Sequence, residues 1–176
     1  MDIIEKAKEF AVRAHDGQVR KGAAQEPYTV HLEEVARLAA GFGAGEAVIA
    51  AAWLHDTVED CDVSAGDLRA IFGDQIAGLV MELTDDKSLA AWDRKKLQVA
   101  NAPRKSAGAA LLKICDKMSN VRSVAETPPL DWSMERRTAY LIWAEEVVAA
   151  LPEGADDARA AFFQTLRRAR EILACA

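Results

Sequence analysis

Apolar positions along this chain recur at helical spacing, and the strict alternation that marks a half-buried strand is nearly absent. Asp2, with Glu5 three residues on, predicts the start of a first helix that runs to about residue 15 and buries Ile3, Ala7, Phe10, Ala11 and Ala14. Residues 16–29, DGQVRKGAAQEPYT, hold two Gly, a Pro and no period, so they predict a loop. Thr29 is the expected cap of a helix over residues 30–40, which Gly41 and Gly43 end. A central helix follows from about Gly45. Ser64 with Asp67 opens a short helix to Phe72, and another runs over residues 74–84. Beyond the polar DDKS comes a basic helix over about 90–100. Ser106 caps a long helix to about Ala125, Pro128 and Pro129 stop it, and Ser133 caps the next, to about Ala150. Pro152 and Gly154 set off a final amphipathic helix over residues 156–174. The expected class is all-α, with about eight to ten helices. No repeat and no linker divides the chain, so residues 1–176 are expected to form one domain.

One stretch stands apart, AAAWLHDTVED over residues 50–60. Residues 47–54 are apolar on every face, which places that helix in the interior. Its continuation, His55, Asp56, Thr57, Val58, Glu59 and Asp60, then carries polar groups inward, where charge is tolerated only if paired or bound to a metal. On a continuous helix, His55 and Glu59 share one face, as do Asp56 and Asp60. That pattern suits a divalent cation with carboxylates beside its water. The alternative is a helix end whose carboxylates are solvated.

Composition narrows the choice. The chain has 176 residues and a net charge of −6, with hydrophobic residues at 51%. Its mass is 19.1 kDa and its pI is near 5.1. The acidic balance argues against duplex nucleic-acid binding, so an anionic ligand needs a local cationic cluster. There is no run of about 18 apolar residues and the N-terminus lacks signal-peptide features, so no membrane partner and a cytoplasmic location are expected. Three cysteines far apart (Cys61, Cys115, Cys175) form neither a disulfide framework nor a zinc ribbon.

Two further clusters carry candidate chemistry. In LLKICDKMSNVRSV, Leu111, Ile114, Met118 and Val121 make an apolar stripe, while Lys113, Asp116 and Asn120 make a polar one that can face a single cavity. The alternative is a solvated face. In GQVRKGAAQEPYTVHLEEVA, Arg20 and Lys21 can reach a phosphate or stack on a base. His31, at a helix start among apolar neighbours, reads from its surroundings alone as a structural histidine.

Taken together, RKG…PYxxH, LHDTVED and KxxDKxxN resemble the HD-type alarmone hydrolases, the (p)ppGpp pyrophosphohydrolase domains of the RelA/SpoT kind. The stand-alone metazoan SpoT homologue and small bacterial relatives are the nearest form. LTDDKSL, RKKLQVANAP and YLIWAEEVVAAL extend the resemblance over essentially the whole chain. It implies an all-α HD fold with one metal per chain, usually Mn²⁺, held by His31, His55, Asp56 and Asp116. This overturns the structural reading of His31. A thiolate-free set of two imidazoles and two carboxylates also suits Mn²⁺ or Fe²⁺ by its own chemistry.

The resemblance further implies that Glu59 and Asp60 are catalytic, with Glu59 the main proton handler. Asn120 is implied at the ribose, and Arg20 and Lys21 at the guanine and nearby phosphates. Lys113 and Tyr140 are candidates for the pocket wall, and His15 takes a supporting role. Three positions depart from relatives: Leu32 follows His31 where proline is common, Ala90-Ala91 stands for Pro-Lys, and Cys115 replaces an alanine, placing an oxidisable thiol near the site. The expected reaction is Mn²⁺-dependent hydrolysis of the 3′-diphosphate of ppGpp or pppGpp to GDP or GTP and pyrophosphate, without a synthetase activity. Alternatives are the same site acting on NADPH or a ppApp-type alarmone, a nucleotide-binding sensor without turnover, or a helical scaffold with no site. The expected partner is the nucleotide, and a homodimer is left open.

Overall fold

The computed structural model describes residues 2–175, which form nine α-helices and one short 3₁₀ turn. The helices are α1 (Ile3–Ala14), α2 (Thr29–Gly41), α3 (Glu46–Leu54), α4 (Thr57–Asp60), α5 (Ala65–Leu83), α6 (Ala91–Asn101), α7 (Ala107–Glu126), α8 (Met134–Ala150) and α9 (Asp156–Ala174). No strand forms among the described residues, although isolated bridges join Val19 to Pro27 and Gly22 to Pro129.

Most ends fall where the sequence chemistry puts them. Ser64 and Asp67 cap α5 reciprocally, and Ser106 and Ser133 accept from the Ala109 and Arg136 amides. Gly73, at φ 83°, interrupts the helical dihedrals of α5, so this stretch acts as the two segments expected. Thr29 does not cap α2. The turn begins earlier, with the Val30 amide on the Pro27 carbonyl and the His31 amide on that of Tyr28. Tyr28 occupies the cap position without a side-chain bond.

The other difference matters more. The apolar helix does not run through to Asp60: α3 stops at Leu54, His55 and Asp56 form a turn, and α4 restarts at Thr57. His55 Nδ1 sits 2.7 Å from the Ala52 carbonyl, and the Thr57 hydroxyl donates to that of Leu54 at 2.7 Å. These side chains compete for carbonyls that a continuing helix would pair with its own amides. The polar residues are thereby re-aimed at the interior.

Two hydrophobic clusters meet along α7. One gathers α1, α2, α3 and α5, with Ala7, Ala11, Leu32, Val35, Ala50–Ala52, Leu54, Phe72 and Val80. Small alanines on α1 and α3 let these helices approach closely. The other holds Ile114, Val121, Leu141, Val148, Phe162 and Leu166 from α7, α8 and α9. Because α7 is covered on nearly every side, its polar residues Lys113, Asp116, Lys117 and Ser119 are buried. The seam between the clusters, where α2, α3 and α7 converge, holds the site. No described helix is long and apolar enough to cross a membrane.

Candidate metal centre and active site

Four side chains converge at that seam from three elements. His31 comes from the first turn of α2, His55 and Asp56 from the turn after α3, and Asp116 from the middle of α7. His31 Nε2 lies 3.5 Å from Asp116 Oδ1 and 3.7 Å from Asp56 Oδ2. His55 Nε2 lies 3.2 Å from Asp56 Oδ2 and 3.9 Å from Asp116 Oδ1. Donor atoms bound to one cation at roughly 2.0–2.2 Å stand about 3–3.5 Å apart, close to these separations. The fit to a cation is judged on the side chains themselves.

They fit. His55 Nδ1 faces a carbonyl, which can only accept, so Nδ1 carries the proton and Nε2 presents a lone pair. That Nε2 is buried and has no hydrogen-bond partner. His31 is fixed in the same sense. The Ser119 hydroxyl donates to Glu34 Oε2 at 2.7 Å, which leaves its oxygen to accept from His31 Nδ1–H at 2.8 Å. Burial also lowers the His31 pKa, favouring the neutral ring. Burial opposes ionisation of Asp116, but the Lys117 and Lys113 charges help to hold the carboxyl well below the usual range. Asp56 behaves alike: burial opposes its charge, and the bond from the Tyr28 hydroxyl helps to hold it low. Two neutral imidazoles and two carboxylates can therefore hold one divalent cation.

Tyr28 was missed as a functional residue, although it stands in the PYxxH motif. Its hydroxyl donates to Asp56 Oδ2 at 2.7 Å, with Asp60 Oδ2 at 3.5 Å, and its ring stacks on His15 at 5.0 Å between centroids. His15 thus supports the centre by packing, with Nδ1 2.9 Å from Gln18 Oε1. Asp60 also pairs with Lys87, while Glu59 accepts from the Asp85 amide at 3.2 Å and lies 3.7 Å from Arg94 Nη1. Burial pushes the Glu59 carboxyl up, and the nearby Asp85, Asp56 and Asp60 charges add to this against the bond from the Asp85 amide.

On one side of the centre lies a cavity of about 210 Å³. Arg20, Lys21, Asn120 and Tyr140 line it together, with Tyr28 and Trp132. Asn120 links the cavity to the centre, donating to Asp116 Oδ1 at 2.6 Å and accepting from Arg20 Nη2 at 3.2 Å. Gly22 is required beneath Arg20 and Lys21, because a Cβ there would meet the Thr127 carbonyl oxygen at 2.6 Å. Lys113 does not join this cavity. It lines a second one, of about 270 Å³, on the far side of Asp116 with Asp85, Arg94, Gln98 and Lys105. The polar stripe of α7 therefore divides, Asn120 to one cavity and Lys113 to the other, with Asp116 between them. Burial pushes the Cys115 thiol up to about 12, so the cysteine beside Asp116 is an inert core residue.

The fold is all-α and gathers two histidines and two aspartates on one buried seam, a set that can hold one divalent cation. The HD domain family matches residues 7–145, and the chain belongs to that family. It is 41% identical over 142 residues to the guanosine-3′,5′-bis(diphosphate) 3′-pyrophosphohydrolase MESH1 of Drosophila melanogaster, covering 80% of this chain and 79% of that one. It is 43% identical to the human protein of the same name, over 82% of each. Among solved structures, a metazoan orthologue of SpoT described as hydrolysing ppGpp superposes with a TM-score of 0.91 at 35% identity, over 96% of both chains.

Proposed function

We propose that this protein hydrolyses the 3′-diphosphate of ppGpp or pppGpp, releasing pyrophosphate and leaving GDP or GTP, with one Mn²⁺ per chain. The observation that carries the reading is the juxtaposition of the His31–His55–Asp56–Asp116 cluster with a cation- and aromatic-lined cavity, joined through Asn120. The named activity of relatives matched over about four fifths of their length agrees with it.

A divalent cation in this cage supplies Lewis acidity, making water more acidic and drawing charge from a phosphoryl oxygen. The chain's residues do the rest. Arg20 and Lys21 offset the substrate's charge at the cavity, and Trp132 and Tyr140 offer faces for the base. Asn120, held by both Arg20 and Asp116, orients the ribose. Water attacks the phosphorus bonded to O3′, Glu59 takes its proton, and the O3′–P bond breaks. Pyrophosphate departs with the water oxygen, and the proton taken by Glu59 passes on to O3′, returning the carboxylate to its starting state. Glu59 suits this role because burial and the neighbouring carboxylates push its carboxyl up towards proton affinity, whereas Asp60 is paired with Lys87.

A second reading keeps the centre and changes the nucleotide to a ppApp-type alarmone or NADPH. Stacking rings and cations line the cavity, and neither discriminates strongly between purines. Steady-state kinetics on ppGpp, ppApp and NADPH with Mn²⁺ separate the readings. The highest kcat/KM is expected for ppGpp, with GDP and pyrophosphate in equal amounts. Faster release of phosphate from NADPH would reassign the substrate.

A further inference from the structure

Helix α6 has no buried side chain, and Trp92 on it is 67% exposed. Helices normally dock by burying an apolar face. This one is tied to the site side of the molecule by polar contacts instead. Trp143 Nε1 donates to the Lys95 carbonyl at 3.1 Å. Gln98 Nε2 donates to Asp85 Oδ2 at 2.5 Å, fastening α6 to the loop that follows α5. That loop and α6 then grip one carboxylate from opposite ends: the Asp85 amide serves Glu59 Oε2 at 3.2 Å, and Arg94 Nη1 faces Oε1 at 3.7 Å. One oxygen of Glu59 accepts a hydrogen bond and the other faces a cation, so the carboxylate is tethered at one end and attracted at the other.

An exposed ion pair contributes little. Here both side chains are largely covered, and Arg94 Nε and Gln98 Oε1 are fully enclosed. We propose that Arg94 is a positioning residue for Glu59, with Gln98 as its latch, and that α6 is retained against the site to aim this carboxylate. The inference rests on the proton-handling role given to Glu59 above.

The test uses the Mn²⁺-loaded full chain and measures kcat, KM for ppGpp, metal content and thermal stability for Arg94→Met and Arg94→Lys. Each is also made in the Glu59→Gln background. Arg94→Met is expected to lower kcat roughly ten- to a hundredfold, short of the loss of the acid/base group itself, with KM and Mn²⁺ stoichiometry unchanged. Arg94→Lys should recover most of that loss. In the Glu59→Gln background Arg94→Met should cost less than about threefold more, because the two residues act as one unit. If Arg94→Met fails to fold, Gln98→Leu releases the latch without touching Glu59 and should show a smaller loss confined to kcat.

A full-sized loss on the Glu59→Gln background would overturn the inference, as would a raised KM at unchanged kcat or no rescue by Arg94→Lys. Normal turnover in Arg94→Met beside a slow Glu59→Gln removes the Arg94 inference alone. Normal turnover in Glu59→Gln removes the reading of Glu59, and this inference with it.

Discussion

The two flanks of the His–Asp cluster are built from different materials. Toward Asn120 the wall is aromatic and cationic, with Tyr28, Trp132 and Tyr140 beside Arg20 and Lys21. Toward Lys113 it is a set of charged and polar groups tied to one another, with the Asp85 amide on Glu59, Gln98 on the Asp85 carboxylate and Arg94 facing Glu59. Side chains already satisfied by each other make a poor binding surface and a good frame. Open faces of rings and cations make a binding surface. Under the proposed function, recognition falls to the first flank and proton handling to the second. Asp116 serves both, through Asn120 on one side and through Lys113 and Lys117 on the other.

Removing the shared element should erase both functions. Asp116→Ala is expected to lose bound Mn²⁺ and all measurable turnover, as chelation of the wild type should. Mn²⁺ should restore the chelated enzyme better than Zn²⁺. Full activity in a metal-free Asp116→Ala protein would break the single-centre account.

A change confined to the recognition flank should spare the centre. A charge-assisted hydrogen bond contributes about 1.5–3 kcal/mol, so Arg20→Ala should raise KM for ppGpp roughly ten- to a hundredfold at normal metal content. An unchanged KM would move the phosphate and base contacts toward Tyr140 and Trp132.

The smallest expected effect on turnover lies behind the centre. Ser119→Ala removes the acceptor that fixes the His31 tautomer. Loss of such an outer partner typically weakens metal binding about 10–100-fold, so calorimetric Mn²⁺ titration should show that shift while saturating Mn²⁺ recovers most of kcat. Unchanged affinity would mean that packing alone orients His31.

The helices were largely legible because their signals are local. Ser64, Ser106 and Ser133 each declare a start within three residues, and Gly73 declares a break in the same way. The turn at His55–Asp56 was not legible, because it depends on two side chains capturing carbonyls that a helical pattern assigns to amides. The residues proposed as ligands were marked by motif, and His31 needed the family resemblance to rise above its apolar surroundings. Tyr28, Ser119 and Arg94 escaped notice because their partners are remote in sequence. Tyr28 reaches Asp56, Ser119 reaches His31, and Arg94 reaches Glu59, and no periodicity encodes such pairings. Lys113 and Asn120 share a helical stripe, yet they line different cavities on either side of the buried Asp116.

Glu59→Gln tests the division of labour most directly. The substitution preserves shape and much of the hydrogen bonding but removes the carboxylate proposed to accept the proton. Metal analysis, equilibrium ppGpp binding and single-turnover kinetics on this variant should show near-stoichiometric Mn²⁺, near-normal affinity and a rate reduced at least about a hundredfold. Loss of Mn²⁺ would make Glu59 part of the metal centre, and a near-normal rate would pass the proton to Asp60; either result contradicts the account.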